Sequence, residues 1–210
     1  MSTVAVVSKM YCSSSQAVLV VRRRPHVVNG GGFVVTDCTQ KVVFRVDGCA
    51  TLGTSGELVL RDGQGNPLLL IRRQGGGVLQ ALSIHKKWKG YTCNYEDSQK
   101  LAFSLKEPVS HQNSICFGKK NNNQIRISLE PRKSSRDWNF QVDGYFPDRD
   151  CSIVDSNGHT IAKVGVKTEV DELMESKDIY HVTIRAGVDQ AFVFGMIAIL
   201  DHIYGESTTC

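Results

Sequence analysis

Several features that would place a protein in a class are missing from this sequence of 210 residues. No C-x-x-C pair occurs, and the seven cysteines are odd in number and widely spread, which argues against a disulfide framework and a zinc site with closely spaced ligands. No Asn-x-Ser/Thr sequon occurs. The short apolar run 17–21 precedes the basic residues 22–24, whereas a signal peptide has the opposite order. We therefore expect a reducing compartment, with the protein cytoplasmic, peripheral to a membrane or nuclear.

The signatures of catalysis are also missing. The six histidines are scattered without paired spacing, and no G-x-S-x-G nucleophile elbow is present. There is no P-loop and no G-x-G-x-x-G motif, and the glycine triplets at 30–32 and 75–77 do not lead into a helix start. We expect a protein that is not an enzyme, with no catalytic residue, metal ion or cofactor.

One apolar run near the end organises the chain. Residues 191–200 contain no polar side chain, and a helix that is apolar on every side has no face suited to water. The run is too short for a bilayer, which needs about 20 apolar residues, so we expect no transmembrane span. Asp189 suits the N-cap and Gly205 the position after the last turn, with Asp201 and His202 where the helix re-emerges. The helix core is predicted to comprise Ala191, Phe192, Val193, Phe194, Met196, Ile197, Ile199 and Leu200.

Before this helix, short apolar segments recur with turn signals between them, many alternating apolar and polar residues as half-buried strands do. The predicted strands are 17–21, 33–36, 42–46, 57–61, 68–71, 81–88, 101–105, 125–130, 138–142, 152–154, 160–164 and 180–184. About twelve antiparallel strands remove their edges by closing into a barrel, whose interior is then too wide for strand side chains alone. The fold class is therefore mainly β, a closed barrel around the central C-terminal helix.

The domain organisation follows from this architecture. We expect a flexible leader over residues 1–15, a single domain over 16–205 and a short tail over 206–210, in a monomer. The turns after Asp37, Asp62 and Asp155 share one pattern, an aspartate followed by small polar residues. Ordinary hairpin chemistry and a calcium loop both fit this pattern, but the turn at Asp155 lacks the further acidic ligands that calcium needs. We do not expect calcium.

Basic residues offer the best indication of binding. They gather at 22–24, 72–73, 86–89, 119–120 and 132–136, and Trp88 and Tyr91 lie beside the third group. Cations with neighbouring aromatic side chains suit an anionic membrane surface, whereas ordinary solvated strand faces are the alternative interpretation. The predicted lipid-binding residues are Arg72, Arg73, Lys86, Lys87, Trp88 and Lys89.

Several motifs together resemble one known family. The segments 32–37, 43–48, 60–68 and 83–88, followed by 186–192 and the apolar helix, occur in the order found in the plant LURP-one-related family. The resemblance runs from about residue 17 to 205. The glycine triplet at 75–77 and the polar loops at 94–100 and 119–123 depart from the usual pattern.

The resemblance implies a tubby-like fold, a barrel of twelve strands around a central helix, related to phospholipid scramblases and to membrane-tethered tubby proteins. Tubby domains bind phosphoinositides, and some members of the plant family are linked to defence. Three hypotheses follow: a module that binds anionic phospholipid headgroups, a regulatory scaffold in plant defence with protein or DNA partners, and a scramblase-like lipid handler.

Overall fold

The computed structural model describes residues 5–25, 31–48, 56–74, 87–93, 99–107, 125–131, 138–166 and 178–204. Within these ranges the chain forms a closed antiparallel barrel of twelve strands, each paired with its neighbours in sequence, with β12 against β1. The strands are β1 (Ala17–Arg23), β2 (Gly32–Thr36), β3 (Val42–Asp47), β4 (Glu57–Asp62), β5 (Pro67–Gln74), β6 (Lys87–Thr92), β7 (Lys100–Lys106), β8 (Arg126–Leu129), β9 (Phe140–Tyr145), β10 (Asp150–Asp155), β11 (Thr160–Gly165) and β12 (Ile179–Ile184). Helix α1 (Gln190–Ile203) runs through the interior. The predicted architecture is confirmed.

Closure of the barrel joins the two ends of the sheet. Ala17 lies opposite Ile184 and Val21 opposite Tyr180 in the β1–β12 pair. In β12 the residues Tyr180, Val182 and Ile184 are buried while the alternate positions are more exposed. This alternation sends every second side chain toward the helix.

Helix α1 fills the space inside the sheet. Every residue from Ala191 to Asp201 is buried. The ring of Phe192 packs against the rings of Phe103 and Phe140 at centroid distances of 5.3 and 5.2 Å. A Cβ at Gly195 would lie 2.8 Å from Cδ1 of Leu69, so the glycine permits α1 to approach β5 closely. The predicted helix core is confirmed as core.

The two ends of the barrel differ. At the upper end lie the turns 37–41, 62–66 and 155–159 and the start of α1, and α1 ends at the lower end. The helix was expected to re-emerge at Asp201 and His202, and this was wrong for Asp201, whereas His202 is partly exposed. Asp201 is fully buried, with its Oδ1 3.5 Å from Nε of Arg23, because the helix continues to Ile203 inside the lower end. Gly205 lies outside the described residues.

The amino-terminal segment is part of the folded structure. Residues 5–15, here called the strap, lie across the upper end, where Val6, Val7 and Tyr11 pack against the core. Cys12 forms an isolated β-bridge with Asp189, and Ser13 O accepts a hydrogen bond of 2.8 Å from Gly187 N. The expectation of a loose leader is wrong for the strap, because its backbone bonds to the segment that starts the helix. Residues 1–4 lie outside the described part.

One strand differs from its predicted position. The sequence predicted a strand over 81–88, whereas β6 spans Lys87–Thr92, and residues 81–86 are outside the described ranges. In β6 the buried positions are Trp88, Gly90 and Thr92. Only one of these is a large apolar residue, so the alternation carries almost no hydrophobic signal.

Candidate binding surface

The barrel wall divides the residues predicted to bind lipid. Arg72, Lys87 and Lys89 are on the outer face of β5 and β6, whereas Arg73 and Trp88 share the inner face at the lower end. The division follows from the period of two along each strand. Lys86 lies outside the described residues.

Trp88 contributes to the core. It is fully buried, and its Nε1 donates to Oε1 of Glu107 at 2.8 Å. The same oxygen lies 3.2 Å from Nε of Arg73, whose guanidinium is 5.9 Å from the centre of the Trp88 ring. The ring of His202 packs edge-on to Trp88 at 4.8 Å. The expectation of a surface aromatic at Trp88 is wrong, and Arg73 is held at the lower end by Glu107.

The outer cations belong to a larger group. Strand register places Lys87 directly opposite Lys106, and Lys106 directly opposite Arg126. Arg72 is opposite Lys89 in the adjacent row. We call the five residues Arg72, Lys87, Lys89, Lys106 and Arg126 the basic face. It crosses four consecutive strands, β5 to β8, with neighbouring strands about 4.8 Å apart.

This arrangement costs stability. Like charges directly opposite each other on neighbouring strands are destabilising, and β6, β7 and β8 carry three in one row. Lys106 and Arg126 are exposed, while Lys87 and Lys89 are partly buried. Exposure to water and salt reduces the repulsion without removing it.

Neighbouring groups offset part of the charge. Nε of Arg72 lies 2.7 Å from Oε1 of Glu57, and Arg72 also donates to Oε1 of Gln99 at 3.2 Å. At the other side of the basic face, the guanidinium of Arg126 is 5.6 Å from the centre of the partly exposed Trp138 ring. A cation above an aromatic ring is attracted by the ring but keeps its positive charge. Trp138 therefore supplies the surface aromatic that Trp88 does not.

The basic group at residues 22–24 does not join the basic face. Two of its ion pairs lie near the lower end. Nη1 of Arg23 is 2.9 Å from Oδ1 of Asp178, and Nη2 of Arg24 is 3.2 Å from Oδ1 of Asp47. Arg22 is exposed on β1, four strands away from β5. The basic groups at 119–120 and 132–136 fall outside the described residues.

The sequence interpretation missed Lys106, Arg126 and Trp138. The alternation around Phe103 and Ile127 already indicated that Lys106 and Arg126 point outward. What sequence alone lacked was the register, since only the β7–β8 pairing places these two cations opposite each other.

In the three aspartate turns, the carboxylates accept hydrogen bonds from backbone N–H groups of the same turn. The Asp37 carboxylate accepts from Thr39 N at 2.8 Å, and that of Asp155 from His159 N at 2.9 Å. The side-chain hydrogen bond from Thr39 is the main cause of the lowered pKa of Asp37. Burial raises the pKa of Asp62, but hydrogen bonds from Asn66 and neighbouring N–H groups outweigh it and lower the pKa. These aspartates therefore stabilise hairpin turns. Across the described ranges, no group of three His, Cys, Asp or Glu side chains is placed to hold a metal.

Two buried groups with raised pKa values are poor candidates for catalytic groups. Burial raises the pKa of the Cys151 thiol to about 12, so almost none of it is the nucleophilic thiolate at neutral pH. Burial also raises the pKa of Tyr180. Tyr180 and Phe146 enclose the buried Arg149, whose guanidinium lies 4.5 and 4.7 Å from the two ring centres. This cluster closes the lower end of the barrel.

Comparison with known proteins identifies the family. A profile described as LURP-one-related matches residues 17–201. The chain belongs to the LURP-one-related family. Protein LURP-one-related 6 of Arabidopsis thaliana is 59% identical over 206 residues, covering 98% of this chain and 99% of that protein. Protein LURP-one-related 16 of the same plant is 48% identical over 209 residues, covering 98% of this chain and 95% of that protein.

A solved structure shares the fold of this LURP-one-related protein. An X-ray structure of an Arabidopsis thaliana protein covers 95% of this chain and 98% of its own, with a TM-score of 0.65 and 21% identity. At that identity the likeness concerns the fold. None of the helices in the described ranges is long and apolar enough to cross a bilayer.

Proposed function

We propose that this LURP-one-related protein is a non-enzymatic module that docks reversibly on anionic phospholipid through the basic face. The observation that carries the proposal is the row Lys87, Lys106 and Arg126, three cations directly opposite one another on consecutive strands. A surface of anionic headgroups would relieve their mutual repulsion. Each basic residue near such a surface contributes on the order of 1 kcal/mol.

The surroundings of the basic face suit the interfacial region of a membrane. Trp138 and Tyr91 are partly exposed beside it, and aromatic rings with a polar edge are favoured at the level of the headgroups. The apolar interior takes no part in docking, because α1 is buried along its length.

The proposed setting is a reducing compartment. The described cysteines Cys12, Cys38, Cys93 and Cys151 are free thiols, which supports the cytosol or nucleus. A role in plant defence would follow from recruitment to a membrane when its anionic lipid content changes. Phosphoinositides and phosphatidylserine share the anionic chemistry, so both belong in the test.

Vesicle flotation tests the proposal. The full chain is mixed with phosphatidylcholine vesicles, alone or with phosphatidylserine or a phosphoinositide, at low and high salt. We expect binding only to anionic vesicles, weakened by salt and by the double variant Lys106→Glu, Arg126→Glu. The control is Lys163→Glu, since Lys163 is exposed on β11, four strands from β7.

Two other functions are outcomes of this experiment. Equal vesicle binding by the wild type and the double variant contradicts docking through the basic face. Absence of vesicle binding, with salt-sensitive binding of duplex DNA, replaces docking with the scaffold function. A scramblase-like activity would need α1 to reach lipid, and lipid-phase labelling of Ile197 on vesicles would support it against docking.

A further inference from the structure

A row of arginines crosses the outer face of the first four strands. Strand register places Arg22 of β1 opposite Val34 of β2, and Val34 opposite Arg45 of β3. Arg45 is in turn opposite Arg61 of β4. Like charges directly opposite each other destabilise a sheet, and a bound anion would remove that cost. The row is therefore a candidate anion-binding surface.

Two carboxylates near this row are already paired. Oδ2 of Asp47 is 2.9 Å from Nε of Arg61, and its Oδ1 is 3.2 Å from Nη2 of Arg24. Asp178 precedes β12, the other neighbour of β1, and its Oδ1 is 2.9 Å from Nη1 of Arg23. Both carboxylates thus balance other arginines of the same region.

Arg22 and Arg45, here called the arginine pair, keep their charges available. Both are exposed, and in the described part of the chain neither side chain forms a hydrogen bond or an ion pair. They flank the partly exposed Val34, and two strand spacings separate their Cα atoms by about 10 Å. Their long, flexible side chains can turn toward each other over Val34 and hold one anionic group between them.

A phosphate monoester matches the arginine pair in charge and in geometry. Each guanidinium is a planar fork that pairs with two phosphate oxygens. A phosphorylated side chain has three free oxygens and a charge of about −1.5 to −2 at neutral pH, which two arginines balance. A phosphodiester, as in nucleic acid, has fewer free oxygens and a smaller charge. The arginine pair therefore favours a monoester.

The arginine pair faces away from the basic face. The strands β1 and β7 are six strands apart in either direction around the closed barrel, so Arg22 and Lys106 are on opposite sides of it. A bilayer in contact with the basic face cannot also reach the arginine pair. This placement favours a phosphorylated protein as the source of the monoester over a lipid of the same membrane.

An apolar strip runs along β1 from the arginine pair. Val18, Val20 and Arg22 occupy alternate positions on the outer face of the strand, and Val18 is 49% exposed. Arginine clusters recognise phosphorylated motifs in proteins, and exposed valines beside them can contact an apolar residue of the same segment.

We infer that the outer face of β1, β2 and β3 docks a phosphorylated segment of a partner protein. Its phosphate lies between the two arginines of the arginine pair, and an apolar side chain of the segment contacts Val18 and Val20. This interaction goes beyond lipid docking. With both surfaces occupied, the protein would hold a phosphorylated partner at a membrane.

Immobilised peptide pools test the inference. Three pools carry a fixed phosphoserine, phosphothreonine or phosphotyrosine between randomised positions, and three matched pools lack the phosphate. We expect the folded full chain to be retained on at least one phosphorylated pool at physiological salt, and on no unphosphorylated pool.

Variants locate the bound peptide. The double variant Arg22→Gln, Arg45→Gln should lose about tenfold in apparent affinity for the retained pool, since it removes charge-assisted hydrogen bonds. Val18→Ser should lose about threefold through reduced apolar contact, and an unchanged affinity there would contradict that contact. Arg185→Gln is the matched control, because Arg185 is exposed beyond the end of β12.

The basic-face variant Lys106→Glu, Arg126→Glu separates this site from vesicle docking. It should bind the retained pool as the wild type does, whether or not it floats with vesicles. Absence of retention on all three phosphorylated pools overturns the inference, as does an equal loss of affinity in Arg185→Gln or in the basic-face variant. Anionic vesicles or duplex DNA that bind the wild type but not the Arg22→Gln, Arg45→Gln variant would overturn it as well, in favour of a lipid or a nucleic acid.

Discussion

The N–H of Val7 donates to Oδ2 of Asp189 at 2.7 Å, across 182 positions of sequence. The other carboxylate oxygen, Oδ1, accepts from Ala191 N at 3.0 Å and Phe192 N at 3.3 Å. One fully buried side chain therefore caps α1 and fastens the strap.

Asp189→Ala should be strongly destabilising. It leaves five N–H groups without their acceptor, and each buried unsatisfied donor costs about 1–3 kcal/mol, reduced by water that enters the opened strap. We expect urea denaturation to show a loss of about 3–5 kcal/mol. Asp143→Ala, on an exposed aspartate of β9, should stay within about 0.5 kcal/mol. A similar small change for Asp189→Ala would contradict the anchoring role.

Ile197→Lys should prevent folding. Ile197 is fully buried in α1, and a lysine there must either keep an unpaired charge or lose its proton, at a cost comparable with the 5–15 kcal/mol or so that holds a domain together. Gly195→Asp should do the same, with added crowding against Leu69. Expression followed by circular dichroism and thermal unfolding checks both variants. A soluble Ile197→Lys protein that unfolds cooperatively would rule out a helix enclosed by the barrel.

Lys106→Gln should change stability and vesicle binding in opposite directions. Removing the central cation of the row relieves repulsion with Lys87 and Arg126, which should stabilise the barrel by about 0.2–1 kcal/mol at low salt. The gain should shrink in 1 M salt as charges are screened. Lys163→Gln serves as control because its cross-strand neighbours Ser152 and Thr183 are uncharged. Thermal unfolding at two salt concentrations measures the effect, and a destabilised Lys106→Gln variant would contradict it.

The stability of the protein should fall in alkaline solution partly through Cys151. Its pKa is raised from 9.0 to about 12 by burial. Between these values the unfolded thiol ionises while the folded one does not, so rising pH favours the unfolded state by up to about 1.4 kcal/mol per pH unit. Below pH 9 this effect is absent. Cys151→Ala should therefore lose less stability than the wild type between pH 9 and 12 in urea titrations. The exposed Cys38 offers the control, Cys38→Ala, and an equal slope for all three proteins would contradict the assignment.

Most of the fold could be predicted because its signals are local. The alternation in segments such as Ile125–Leu129 gives the strands, and the unbroken apolar run before Asp201 gives the central helix. The extent of β6 could not be predicted, since Gly90 and Thr92 carry no hydrophobic signal. The attachment of the strap could not be predicted either. It depends on backbone N–H groups, and the side chains of the residues that carry them give no sign of the contact.

The candidate site was predictable only in part. Proximity in sequence grouped Arg72 with Arg73 and Lys87 with Trp88, yet adjacent strand residues point to opposite sides of the wall. The basic face instead joins residues that are far apart in sequence, such as Lys87 and Arg126. Their alignment is decided by register, which requires the pairing of whole strands.

The pairing of Ala17 with Ile184 has a consequence for how the protein is made. During synthesis the first strand leaves the ribosome more than 160 residues before its second partner exists, and the strap waits longer still for Asp189. Until then the nascent chain exposes an open sheet and an unfilled apolar interior, the conditions that invite chaperone binding. Folding can finish only after the last helix has left the ribosome, so a chain truncated before α1 should be a substrate for degradation rather than a smaller working domain.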